Sequence, residues 1–274
     1  MQIEKSVALI YGGTSGIGKA LAMALLDRGA NVIYTGSSLE KGEDMAKSIR
    51  TERAVFHHCD ITDWDKQEEC YEHARQAFGK SVDMVVVIAG VLDSSDLMND
   101  HETDGTYHTI QVNITACVKA NRLAIQHFLR EGKQGCIINT SSIYGLYGAP
   151  LAPMYSASKH AIIGLTRSYG LLLRGTDIRV NCIAPSFIET SMLSGAAKVT
   201  AAAIGYIPME TCIRGYLRLI EDDGLNGDIL SIKSGDGMLL EPKNLNDFEV
   251  KLTELSTRRT DTRVSEMKAY FEVK

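Results

Sequence analysis

Tyr155 and Lys159 stand four residues apart in Tyr155-Ser156-Ala157-Ser158-Lys159. On a helix, positions i and i+4 share one face. A phenol ordinarily titrates near pH ~10. A neighbouring ammonium favours the phenolate and lowers that value. Tyrosine can then exchange a proton with an alcohol or a ketone near neutral pH. Upstream, the strand-like run Ile137-Ile138-Asn139-Thr140-Ser141-Ser142 ends in hydroxyls. A hydroxyl at Ser142, beside a helix-borne Tyr–Lys pair, can hydrogen-bond the reacting oxygen. That combination suits hydride transfer at the carboxyl ends of a parallel sheet.

A second group, Gly12-Gly13-Thr14-Ser15-Gly16-Ile17-Gly18, could hold the hydride carrier. One glycine permits a sharp turn out of a strand, another lets a phosphate approach the backbone, and a third lets helix and strand pack closely. The N–H groups of the helix that follows face a pyrophosphate. The next strand ends Tyr34-Thr35-Gly36-Ser37-Ser38, with no carboxylate to accept from both ribose hydroxyls. Ser37 and Ser38 can donate to a 2′-phosphate, and Lys41 is the nearest cation. The loop favours NADP(H), with NAD(H) as the alternative.

These groups need a scaffold, and the chain alternates as one would. Apolar strand runs fall at Ser6–Tyr11, Asn31–Thr35, Ala54–His58, Val82–Ala89, Cys136–Thr140, Ile178–Ile183 and Asp228–Ile232. Helical patterns separate them at Ile17–Arg28, Leu39–Arg50, Trp64–Phe78, Thr106–Arg130 and Met154–Arg174. Continuous Val/Ile-rich strands alternating with helices predict an α/β fold with a doubly wound, mostly parallel sheet and helices on both faces. No repeat or linker divides it. A single domain is expected over residues 1–240, with a densely charged extension over 241–274 that lies against a neighbouring subunit or over the substrate mouth.

Composition excludes other classes. The 274 residues are 45% hydrophobic and 23% charged, with a net charge of −5, which is ordinary for a globular chain. A basic excess that would mark a nucleic-acid binder is missing. No run reaches the ~18 apolar residues of a membrane span, and the N-terminus lacks the features of a signal peptide. The six cysteines are scattered, with no C-x-x-C pair, and read as reduced, buried thiols of a cytoplasmic protein. The seven histidines show no metal-ligand spacing, so no metal is expected.

Taken in order, the motifs resemble those of the short-chain dehydrogenase/reductase family. They are Gly12 to Gly18, Asp60-Ile61, Ala89-Gly90, Asn113, Ser142, Tyr155, Lys159, Asn181 to Thr190 and Asn226-Gly227-Asp228. The match spans roughly residues 5 to 240. The resemblance implies a Rossmann fold and an NAD(P)-dependent oxidoreductase interconverting a secondary alcohol and a ketone on a small or lipid-like substrate. It makes Tyr155 the general acid/base and Ser142 the group that positions the substrate oxygen. Lys159 lowers the phenol's pKa and holds the nicotinamide ribose. Asn113 kinks its helix and holds a water in a proton relay to Lys159. Cofactor contacts are implied for Gly12, Thr14, Ser15, Gly16, Ile17, Gly18, Ser37, Asp60, Ile61, Ala89, Gly90, Thr140, Tyr155, Lys159, Pro185, Ile188 and Thr190. A mobile lid is implied over about 190–210, and a homodimer or homotetramer through the two long helices.

Five positions depart from the pattern. Gly36 replaces the acid that selects NAD in one branch of the family, which oxidises a lipid alcohol. Ala152 replaces that branch's substrate-binding glutamine. Tyr11 stands where the family has threonine, and Val87-Ile88 where it has two asparagines. An apolar contact between Tyr11 and Val87 is expected to replace the lost polar tie. Two rival readings are a degenerate family member acting as a binding or regulatory protein, and a cofactor-binding enzyme of non-redox chemistry.

Overall fold

The computed structural model describes residues 1–93, 98, 100, 106–193, 195–235, 237–243 and 247–272. In β1 (Val7–Tyr11) every residue is buried. Val7, Leu9 and Tyr11 enter one hydrophobic cluster, while Ala8 and Ile10 enter another. That is the period-2 alternation of a strand with protein on both faces. The strands that follow are β2 (Asn31–Gly36), β3 (Ala54–His58), β4 (Met84–Val87), β5 (Gly135–Thr140), β6 (Ile178–Pro185), β7 (Ile229–Lys233) and β8 (Gly237–Leu240). The sheet order is β3-β2-β1-β4-β5-β6-β7-β8, with β8 antiparallel and the other pairings parallel. The expected doubly wound sheet is present in a single α/β domain. Its order reverses between β1 and β4, and ligands of such sheets bind at the carboxyl ends there.

One face is covered by α1 (Gly16–Asp27) and α8 (Met209–Glu221), the other by α3 (Trp64–Phe78), α5 (Cys117–Arg130) and α6 (Pro153–Leu172). α2 (Leu39–Ser48) packs beside β3. α3 starts on Asp63, which accepts from Lys66 N, and ends at Gly79 with φ 64°, a left-handed closure that glycine adopts readily. The stretch read as one helix from Thr106 begins at α4 (His108–Ile110). It continues through a π-helical segment, Gln111–Ala116, into α5.

α8 and β8 were not among the expected elements. In α8, Cys212, Ile213, Tyr216, Leu217, Leu219 and Ile220 are buried, a helical spacing that the sequence does carry. α7 (Gly195–Ile204) occupies the Ala-rich stretch expected to form the lid. The charged extension forms α9 (Asp247–Glu272), which packs against α5 and α6 of its own chain. Val264 is buried there, and the Arg130 guanidinium lies 5.1 Å over the Phe271 ring. Among the described residues no helix is long and apolar enough to cross a membrane.

All six cysteines are free and buried. Burial pushes the Cys136 thiol up to about 11 and those of Cys117, Cys182 and Cys212 up to about 12. A disulfide reagent at pH ~8 is expected to titrate almost none of them in the native chain and all six in guanidinium. Rapid reaction of several native thiols would contradict this burial.

Candidate active site

At the carboxyl ends of the strands lies a cavity of about 700 Å³, within the usual range for ligand pockets. The glycine turn forms one wall. Gly12 has φ +84°, and a Cβ there would sit 2.6 Å from Ala89 N. A Cβ on Gly18 would sit 2.0 Å from the Gly12 carbonyl oxygen. No side chain fits at either point. Ser15, the N-cap of α1, makes no side-chain capping bond, whereas the caps of α2 and α3 do. Thr14, Ser15, Gly16 and Ile17 line the cavity at this end. A cradle too tight for a Cβ, beside a helix end its N-cap side chain leaves uncapped, fits a dinucleotide pyrophosphate.

The end of β2 is equally close-packed. A Cβ on Gly36 would lie 2.6 Å from Thr14 Oγ1 and 2.8 Å from its Cγ2. Ser37 is exposed, and its carbonyl lies 3.1 Å from His58 Nε2. Ser38 Oγ accepts from Lys41 N as the cap of α2. Ser37, Ser38 and Lys41 all line the cavity. Beyond β3, Asp60 Oδ1 accepts from the amide and hydroxyl of Thr62, and Ile61 is buried.

Tyr11 and Val87 are register partners in β1 and β4 and share one buried cluster, as expected. The tie between the strands is made by the backbone. Ile88 N and Ala89 N both donate to the Tyr11 carbonyl at 2.9 Å. The Tyr11 phenol reaches the other way, donating to Gln67 O at 3.2 Å. Burial, with Tyr71 and Cys70 beside it, raises that phenol well above its ordinary value.

The catalytic set expected from the sequence converges at the far end of the cavity. Lys159 is buried at 4% exposure, and its Nζ donates to Thr140 O at 2.9 Å. Burial holds its ammonium below the ordinary lysine range. The Nζ lies 5.5 Å from the centroid of the Tyr155 ring. Burial pushes the Tyr155 phenol up, and its hydrogen bond with Ser142 pulls it part of the way back. Desolvation dominates, and Ser142, not Lys159, is the group that lowers the phenol, contrary to the expectation from the sequence. Ser142 caps the 3-10 turn Ile143–Gly145, accepting from Tyr144 N.

Asn113 lies in the π-helical segment, the kind of widened turn that recurs at functional sites. Its Oδ1 accepts from Val91 N at 2.8 Å, and its Nδ2 donates to Val91 O and Ser158 Oγ. A Cβ on Gly90 would be 3.2 Å from Asn113 Oδ1 and 3.3 Å from Lys159 Nζ. Asn113 and Gly18 stand behind the cavity wall, and the other residues expected from the sequence line it. Sequence reading missed several lining groups, including Cys59, Leu92, Asp93, His108, Tyr144 and Phe187. The Tyr144 and Phe187 rings meet edge to face at 5.9 Å. The segment read as a lid contributes Thr190, Met192, Leu193, Ala197 and Thr200, while Ser194 lies outside the described residues.

A glycine cradle and a Tyr–Lys–Ser cluster in one cleft define a nucleotide-dependent oxidoreductase architecture, and comparison with known proteins agrees. The model of the short chain dehydrogenase family matches residues 6–200. The chain belongs to that family of NAD(P)-dependent dehydrogenases and reductases. It is 29% identical to the 15-hydroxyprostaglandin dehydrogenase (NAD(+)) of Homo sapiens, covering 92% of this chain and 99% of that one. It is 31% identical to the 3-oxoacyl-(acyl-carrier-protein) reductase FabG of Thermotoga maritima, covering 86% and 99%. The solved structure of ElxO with NADP bound superposes with a TM-score of 0.72 at 28% identity, covering 84% of this chain and 98% of that one.

Proposed function

We propose that this chain interconverts a secondary alcohol and a ketone, using NADP(H) in preference to NAD(H), on a small apolar or lipid-like molecule. One observation carries the reading. A single cavity joins the glycine cradle to Ser142, Tyr155 and Lys159. Tyr155 is the general acid/base, Ser142 holds the substrate oxygen, and Lys159 supplies positive charge near the phenol and holds the nicotinamide ribose. Asn113 fixes the loop behind Lys159. When bound, the cofactor supplies or takes up the hydride. Gly12, Thr14, Ser15, Gly16 and Ile17 hold its pyrophosphate, with Gly18 packed beneath. Asp60, Ile61, Ala89 and Gly90 take the adenosine. Thr140, Pro185, Ile188 and Thr190 surround the nicotinamide. Ser37, with Lys41 beside it, takes a 2′-phosphate.

The substrate class rests on the remaining wall. Leu92, Ile143, Tyr144, Leu151, Phe187 and Leu193 are apolar or aromatic, and Ala152 adds no polar group. The homodimer or homotetramer implied by the resemblance needs a face other than the one α9 covers, or an exchange of α9 between copies. Titration of the purified chain, followed by nicotinamide fluorescence, tests the cofactor reading. NADPH is expected to bind at least about tenfold more tightly than NADH, a difference of ~1.4 kcal/mol. Preference for NADH would overturn the reading of the Gly36–Ser37 loop. Binding of neither would favour the degenerate, non-catalytic alternative.

A further inference from the structure

Helix α6, which carries Tyr155 and Lys159, has no cap of its own. Its N-cap residue, Ala152, has no side-chain acceptor, and Pro153 at the first position has no N–H. Ala152 N already bonds Ala149 O, and Ser156 N bonds Ala152 O. The amides of Met154 and Tyr155 are left, and orphan donors at a helix start need acceptors. Both are taken by one carboxylate from another part of the chain. Asp93 Oδ2 accepts from Met154 N at 3.1 Å, and Oδ1 accepts from Tyr155 N at 2.6 Å.

We infer that Asp93 is a positioning residue that locks the acid/base helix to the loop lining the cofactor cavity. This rests on the role proposed above for Tyr155. Asp93 ends a short run with consecutive duties. Ala89 and Gly90 line the cavity, and Val91 clamps the Asn113 amide from both sides. The Leu92 carbonyl accepts from Thr109 Oγ1 at 3.3 Å. Asp93 then fastens the first turn of α6 through the backbone of Tyr155 itself. A carboxylate at a helix N-terminus is favoured by the aligned peptide dipoles, and charge-assisted bonds to backbone N–H groups are the short, strong kind. The phenol and the loop lining the cofactor end of the cavity are thus held in one frame. Small misplacements of a reacting group are costly in rate.

The experiment compares the intact chain with Asp93→Ala, Asp93→Asn and, as control, Tyr155→Phe. Hydrogen exchange of the peptide spanning residues 153–160 is read by mass spectrometry, and NADPH affinity by fluorescence. Steady-state kinetics are run on the ketones that the intact chain reduces, from a panel including 2-decanone and acetophenone. Asp93→Ala is expected to speed exchange in this peptide. It should lower kcat by about 10–100-fold while ketone KM and NADPH affinity stay within about threefold. Asp93→Asn keeps an acceptor oxygen and is expected to recover most of kcat. Unchanged exchange would overturn the inference. So would an unchanged kcat, or a rise in KM alone, which would make Asp93 a substrate contact. Full turnover by Tyr155→Phe would instead sink the reading of the acid/base.

Discussion

Replacing Tyr155 with phenylalanine is expected to lower turnover by at least about a thousandfold, within the usual range for a general acid/base. The substitution removes one oxygen and leaves the ring that fills the cavity wall. Folding is expected to suffer little, since the phenol's bond to Ser142 contributes about 1 kcal/mol. NADPH affinity should stay within a few fold, because the pyrophosphate cradle lies at the other end of the cavity. Substitution of Lys159 should differ in kind. Its Nζ is tied to Thr140 O and stands against Gly90, so its loss disturbs the cofactor end as well as the phenol. Rapid-mixing turnover with NADPH reads the first case directly, and a rate within tenfold of the intact chain would exclude Tyr155 as the acid/base.

The pH dependence follows from the same site. Burial raises the Tyr155 phenol, so at neutral pH the group is protonated. Ketone reduction needs the protonated form, and its rate should hold level through neutral pH and fall as the phenol ionises. Alcohol oxidation needs the phenolate, and its rate should climb over the same alkaline range.

The order of β1 to β7 was legible because these strands carry runs of apolar residues. β1 is all apolar, and its two faces are filled by different helices. The Tyr–Lys pair and the glycine turn were legible because their chemistry is carried by local spacing. What local spacing does not carry was missed. Asp93 belongs by sequence to a loop and by function to a helix that starts sixty residues later. The Tyr11 departure looked like a lost tie, but side-chain identity says nothing of the backbone amides of Ile88 and Ala89 that make it. In α9, charge of both signs hid the sparse apolar positions Val264 and Met267 that seat the helix. A depressed phenol pKa follows from the Tyr–Lys spacing alone, and the sequence does not display the burial that raises Tyr155 instead.

Gly36→Asp alone is expected to weaken NADPH binding without creating a good NADH site, and adding Thr14→Ala is expected to create one. An acid at the end of β2 favours NAD by accepting from the ribose hydroxyls and repelling a 2′-phosphate. Here the space for its Cβ is already taken. Thr14 Oγ1 would lie 2.6 Å away, Cγ2 2.8 Å and Cβ 3.3 Å. Rotating Thr14 exchanges one branch for the other and leaves its Cβ in place, so the contact is not relieved by a rotamer change. The single variant therefore pushes the new carboxylate, or the glycine turn that carries Thr14, out of position. Thr14→Ala removes both branches and lets the turn keep its shape. The double variant should change the NADH-to-NADPH affinity ratio by about a hundredfold, ~2.7 kcal/mol. The two substitutions should be non-additive by about 1 kcal/mol or more, as expected of residues in contact. Fluorescence titration of the four proteins closes the cycle. If Gly36→Asp alone binds NADH as tightly as the pair does, Thr14 is no obstacle. The absence of an acid at position 36 would then be unconnected with the packing of the glycine turn.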